Sequence, residues 1–216
     1  MTITDRTDRT DRTDRTDRTD RTDRTDRTDR TDRTIVADRT DRTIVADRTI
    51  VAETERLLLT RPQEDDVEAV FAIHGDPETN RYNPFGPHRD RAQSRGMLDG
   101  FLARWAEDGV GYCTVATREE PGVVIGFAGV CLHTLDGGRV FNLYYRFRPS
   151  AWGQGYAAEA ARAALAEALP RFPDVPVTAL IRADNLPSRR LAERLGLVPD
   201  PDGRVDHEER LIHRMA

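Results

Sequence analysis

The chain has 216 residues, 38% hydrophobic and 33% charged, with a formal charge of −5. Residues 1–52 hold 13 Asp against 13 Arg, so the whole negative balance belongs to residues 53–216 and argues against a nucleic-acid-binding face. No apolar run approaches the ~20 residues of a membrane span, and the polar N-terminus does not read as a signal peptide.

Residues 5–34 are ten consecutive Asp-Arg-Thr triplets. The unit then becomes Asp-Arg-Thr-Ile-Val-Ala at 32–37, 41–46 and 47–52. The triplets contain nothing apolar whose burial would offset the entropy of ordering them. A disordered low-complexity tail is therefore expected over 1–52, with a domain over 53–216. Those 164 residues suffice for one domain with a core. Cys113 and Cys131 have no metal-site spacing and read as two buried thiols in a reducing cytoplasm, with no metal.

In chain order, 56–61 (RLLLTR) reads as a buried strand ended by Pro62. Val67, Val70, Phe71 and His74 fall on one face of a first helix, with His74 as the end of that face. Residues 76–88 are rich in Pro, Asn and Gly and predict a loop. A second helix carries Leu98, Phe101, Leu102 and Trp105 on its apolar side. Three strands follow, at 111–117, 123–133 and 140–147, the last two joined by the hairpin signal Asp136-Gly137-Gly138. In the third, Phe141, Leu143, Tyr145 and Phe147 share one face, while Asn142, Tyr144 and Arg146 share the other, which faces solvent or a cleft.

An Ala-rich helix ended by Pro170 comes next, with Ala158, Ala161, Leu165, Ala168 and Leu169 as its stripe. A strand at 176–182, a short helix at 185–196 and terminal strand material complete the chain. The order predicts a mixed α/β fold whose central sheet is mostly antiparallel and flanked by helices.

Between strand and Ala-rich helix stands Trp152-Gly153-Gln154-Gly155-Tyr156-Ala157. Two glycines let backbone N–H groups converge, and the helix start adds unpaired donors and partial positive charge. That combination suits phosphate. The third glycine of a dinucleotide fingerprint and the Gly-Lys-Ser/Thr of a P-loop are both absent.

RPSAWGQGYAAEA (148–160), followed by NLPSRRLAERLG (185–196), resembles the cofactor signature of GNAT-superfamily N-acetyltransferases. ETERLLLTRPQEDDVEAV at 53–70 resembles the usual opening of their ribosomal-protein-alanine acetyltransferase-like branch. The resemblance implies a GNAT-like fold and an acetyl-CoA cosubstrate in a gap between the strands at 140–147 and 176–182. The pyrophosphate is then expected on the amides of Gly153, Gln154, Gly155, Tyr156 and Ala157, with Trp152 heading the loop where the superfamily has Arg or Gln. Phe147 and Arg148 are expected to pair with the pantetheine through their backbone, Asn185 to contact it, and Ser188 to lie near the thioester sulfur. Many members carry a tyrosine general acid at the position of Ala192, so that donor is missing here.

The implied partner is a primary amine, either a peptide N-terminus or a small molecule, handled by a monomer or homodimer. Amines are mostly protonated at pH 7, so a base is useful, and strand-borne His133 is one candidate. Ser188 is the candidate proton donor to the leaving thiol. The alternative is a non-catalytic acyl-CoA-binding module of the same fold, kept open by Ala192.

Overall fold

A computed structural model describes residues 48–215, all within one compact unit, 39–216. The elements are β1 (Ile50–Glu53), β2 (Leu57–Thr60), α1 (Val67–His74), α2 (Arg91–Asp108), β3 (Tyr112–Thr117), β4 (Val124–Leu135) and β5 (Gly138–Phe147). They continue with α3 (Tyr156–Ala168), β6 (Val177–Ile181), α4 (Leu186–Arg194), β7 (Leu197–Pro199) and β8 (Leu211–Met215). The strands form one mixed sheet in the order β1-β2-β3-β4-β5-β6-β8-β7. Among the described residues its one parallel pair is β5 with β6; helices flank it on both faces, as the element order predicts.

Regular structure begins ahead of Glu53, inside the last repeat unit. The last repeat unit supplies β1, which pairs with β2 through Ile50↔Thr60, Ala52↔Leu59 and Glu53↔Leu58. Ala52 is buried against α3, and Arg48 grips the buried Asp66 at 2.7 and 3.0 Å. One Ile-Val-Ala step suffices because β2 supplies the hydrogen bonds and Asp66 supplies a counter-ion. The expectation of disorder over the rest of the repeat, residues 1–47, lies outside the described residues.

The β4–β5 hairpin turns at Asp136 and Gly137, with φ of 52° and 78°, the left-handed pair that a tight two-residue turn requires. Helix α3 packs on one face of the sheet through Ala160, Ala161, Ala164, Leu165 and Ala168. This is a broader face than the expected stripe, and Ala158 is only half-buried. Alanines let α3 lie close against Leu57, Leu59 and Phe147 on one side and Phe141 and Leu143 on the other. On the opposite face, α1 and α2 bring Val70, Ile73, Leu98 and Phe101 onto Phe127. Phe71, expected in that core, is half-buried beneath the Arg91 guanidinium, 5.1 Å from its ring, and Ile73 takes the core position.

Candidate functional site

Strands β5 and β6 pair only at Phe141↔Val177 and Asn142↔Thr178, then separate, although β5 continues to Phe147 and β6 to Ile181. Peptide groups alternate in direction along a strand, and Phe141 donates toward β6, to Pro176 O. Those of Tyr145 and Phe147 therefore open into the gap. Its far side is α4, reached by the Tyr145 hydroxyl, which donates to Ser188 O at 2.9 Å. Burial pushes the Tyr145 phenol up to about 12.

At the C-terminal end of β5 the chain makes a 3-10 turn, Pro149–Ala151, and enters the glycine loop. Gly153 and Gly155 have φ of 77° and 80°, so both occupy the left-handed region. A Cβ on Gly155 would meet nothing closer than Arg56 Nη2 at 3.6 Å, so this glycine is required for its backbone angle, not for space. The amides of residues 153–157 donate to no group among the described residues. Five consecutive free donors at a helix start are the kind of group an anion can accept from, and the loop that carries them is a candidate cradle.

This cradle is braced by the β1–β2 turn. Arg56 donates to Gln154 O at 3.0 Å and through Nε to Glu159 at 2.8 Å, and its guanidinium lies 4.8 Å from the Tyr156 ring. Thr54 also donates to Glu159. Burial pushes the Glu159 carboxyl up, but the bonds from Thr54 and Arg56 outweigh it and hold the carboxyl below its usual range.

The predicted cofactor residues and Ser188 lie along β5, the glycine loop and α4, while His133 lies apart, toward the β4–β5 turn. Trp152 is half exposed and its indole donates to Phe147 O at 2.8 Å, while the Arg148 amide donates to Ile125 O. Those two backbone groups are thus engaged within the chain, and the open peptide edge lies one step earlier, at Tyr145. Asn185 caps α4, its Oδ1 accepting from the Ser188 amide at 3.2 Å. Ser188 is not the cap, and its hydroxyl makes no hydrogen bond among the described residues. Ala192 is completely buried. His133 lies on β4 opposite Val140, toward the hairpin turn, and its ring makes no hydrogen bond among the described residues.

On the α1/α2 face of β5 lies a polar network that the sequence pattern left undefined. His74 is bonded through Nδ1 to Val70 O at 3.1 Å and through Nε2 to the Tyr144 hydroxyl at 2.7 Å. A carbonyl only accepts, so Nδ1 carries the proton and Tyr144 donates to Nε2. Burial, reinforced by Arg146, lowers the His74 pKa to about 3, so the ring is neutral. His88 stacks on His74 with centroids 5.3 Å apart, and Arg146 donates to Oδ1 of the buried Asn80. Asn142 donates to the Tyr112 hydroxyl at 2.9 Å, as does the Cys131 thiol at 3.0 Å. The side-chain hydrogen bonds to Tyr112, Asn80 and Tyr144 join residues 19 to 70 positions apart and have no local sequence signature.

Residues 56–198 match the family model of the acetyltransferase (GNAT) domain. Among curated proteins, the chain is 28% identical over 146 residues to the uncharacterized protein YkkB of Bacillus subtilis, covering 67% of this chain and 83% of that one. It is 25% identical over 142 residues to the uncharacterized N-acetyltransferase p20 of Bacillus licheniformis, covering 66% and 79%. Among solved structures, an acetyltransferase from Agrobacterium tumefaciens superposes with a TM-score of 0.65 at 27% identity, covering 76% of this chain and 92% of that one. A putative GNAT-family acetyltransferase from Bordetella pertussis gives 0.62 at 27% identity, covering 76% and 98%.

Proposed function

The chain belongs to the GNAT acetyltransferase family, and we propose that it moves an acetyl group from acetyl-CoA to a primary amine. The observation that carries this reading is the row of five unpaired amides, 153–157, at the mouth of the β5–β6 gap. A pyrophosphate fits that cradle, the open peptide edge at Tyr145 fits the amides of a pantetheine arm, and Asn185 stands beside it. Two buried free thiols, Cys113 and Cys131, fit a reducing cytoplasm. The motifs at 53–70 and 148–160 favour the ribosomal-protein-alanine acetyltransferase-like branch.

In the reaction, an uncharged amine attacks the thioester carbonyl. The new N–C bond forms as the C–S bond breaks, and the amine loses one proton while the CoA sulfur leaves. Ser188, with its hydroxyl uncommitted and its carbonyl tied to Tyr145, is the donor to that sulfur. His133 stays the candidate base, acting through water. With Ala192 sealed in the core, α4 offers no phenol at that position. A thiol of pKa ~8.5 needs only modest help to leave.

The test is acetyl-CoA turnover against a panel of amino acids, peptides and simple amines, with the acetylated product identified by mass spectrometry. Product formation supports transfer. Tight acetyl-CoA binding without any product would support a non-catalytic acyl-CoA-binding module instead.

A further inference from the structure

We propose that the acceptor is an amine carrying a carboxylate close to its nitrogen, and that Arg146 recognises that carboxylate; this rests on the acetyl-transfer reading above. The starting observation is an imbalance of charge. Arg48, Arg95, Arg182, Arg210 and Arg214 are half-buried, and each has a carboxylate oxygen within 3.3 Å. Arg146 is half-buried too and has no carboxylate partner among the described residues. Two others lack one, but Arg148 and Arg189 donate to backbone carbonyls, Val124 O and Ala183 O.

Arg146 donates to the side chain of Asn80 and to the Tyr144 hydroxyl, and lies near the His74 and His88 rings. Burial first, and then the charge of Arg146, lowers the pKa of His74 and of His88, while at Tyr144 burial raises the pKa and Arg146 opposes it. The carboxylate felt at His88 is that of Asp90, already used to cap α2 through the Gln93 amide. A partly desolvated guanidinium with spare donors and no anion is a costly arrangement that a bound carboxylate relieves.

A second observation supplies the other end of the ligand. Asn142 Oδ1, on the same face of β5, is buried and has no hydrogen-bond partner among the described residues. Between it and Arg146 stands Tyr144, whose proton is committed to His74 and whose oxygen accepts from Arg146, leaving one lone pair. Read along the strand, the face presents two acceptors and then a cation. Alternate residues on one face of a strand are ~6–7 Å apart, the span of a small zwitterion with its contacts. N–H groups of an uncharged amine suit Asn142 and Tyr144, and a carboxylate suits Arg146. A second ammonium group, as in a diamine, would instead face Arg146 unshielded. The amine end lies beside Asn142, the last residue before β5 and β6 part, on the opposite face from α3 and α4.

The test compares kcat/KM for matched pairs: free amino acids against their carboxamides, and peptides beginning with Asp against those beginning with Asn. The wild-type protein is expected to favour the carboxylate member of a pair by about 10- to 100-fold, mainly through KM, the value of one charge-assisted contact. Arg146→Gln should collapse that ratio and Arg146→Lys should restore part of it. Whether the amino acids or the Asp-led peptides show the larger kcat/KM identifies the source of the carboxylate. Equal use of both members by the wild-type protein, or a ratio that survives Arg146→Gln, would overturn the inference while transfer stands. Acetyl-CoA bound with no amine acetylated would overturn both.

Discussion

The two faces of β5 come from alternate residues of one ten-residue strand, yet they are built on opposite principles. Toward α3 and α4, Phe141, Leu143 and Phe147 pack on alanines in a dry, close contact, and only Tyr145 carries a polar atom, held by Ser188. Toward α1 and α2, Asn142, Tyr144 and Arg146 enter a hydrogen-bonded network with His74, Asn80 and Tyr112. The first face leaves backbone groups open along the gap and in the glycine loop, so it suits a ligand recognised by main chain and phosphate. The second leaves side-chain groups open, so it suits a ligand recognised by its functional groups. A donor of fixed structure belongs on the first and a selective acceptor on the second.

The largest effect is expected where the first face is braced. Removing residues 1–52 takes away β1 and strands buried Asp66 without Arg48, a loss of about 3–5 kcal/mol for a broken buried pair. A domain of this size should lose roughly 6–20 °C in Tm for that cost. Cutting before Arg48 instead is expected to leave Tm within a degree or two of the full chain, and calorimetry on both truncations places the boundary. Equal stability of the two would mean that β1 contributes nothing.

Gly155→Val should weaken acetyl-CoA binding by forcing φ away from 80° and turning amides out of the cradle. Each charge-assisted bond lost is worth ~1.5–3 kcal/mol, about 10- to 100-fold in Kd. Titration calorimetry that finds Kd unchanged would place the phosphates elsewhere.

Across the gap, Ser188→Ala should lower kcat by roughly 10- to 100-fold, at or below the lower end of the ~10²–10⁴-fold general-acid range. Acetyl-CoA affinity and Tm should stay put, because Asn185 and not Ser188 caps α4. Full turnover in this variant removes the hydroxyl from the chemistry.

The last effect belongs to the second face and appears only with pH. His74 is held neutral, its pKa lowered to about 3 by burial and then by Arg146. An unfolded imidazole titrates near ~6.5, so below that pH the unfolded chain binds a proton that the folded one refuses. Stability is complete above pH ~6.5 and should fall by up to ~1.4 kcal/mol per unit on the way down toward pH 3. His88 and His213 are shifted in the same direction and add to the slope. His74→Gln should flatten denaturant midpoints measured between pH 6.5 and 4.5; an unchanged slope would assign the effect to other groups.

These faces were unequally legible in the sequence. The first is written in contiguous residues, since strand alternation, two glycines and an alanine-rich helix follow one another from Val140 to Ala168. The gap followed from family resemblance, because a two-pair ladder between β5 and β6 depends on strand direction, which local pattern does not encode. Alternation did separate Asn142, Tyr144 and Arg146 from the core face. It said nothing of their partners, because Arg146 meets Asn80 from 66 residues away and Tyr144 meets His74 from 70. Tyr145 looked like one more core aromatic, although its hydroxyl crosses the gap. β1 was hidden by its surroundings: three apolar residues among Asp-Arg-Thr triplets look like tail until β2 and Asp66 provide partners.

Hydrogen–deuterium exchange of the full chain with and without acetyl-CoA tests the central claim most directly, because free backbone amides define the proposed cofactor site. The expected result is slowed exchange at residues 153–157 and at the gap-facing edge of β5 around Tyr145 and Phe147. The α1/α2 network around His74 and Asn80 should stay unchanged until an amine acceptor is added. Protection that spares 153–157, or none anywhere at saturating acetyl-CoA, would contradict the placement of the donor on that face.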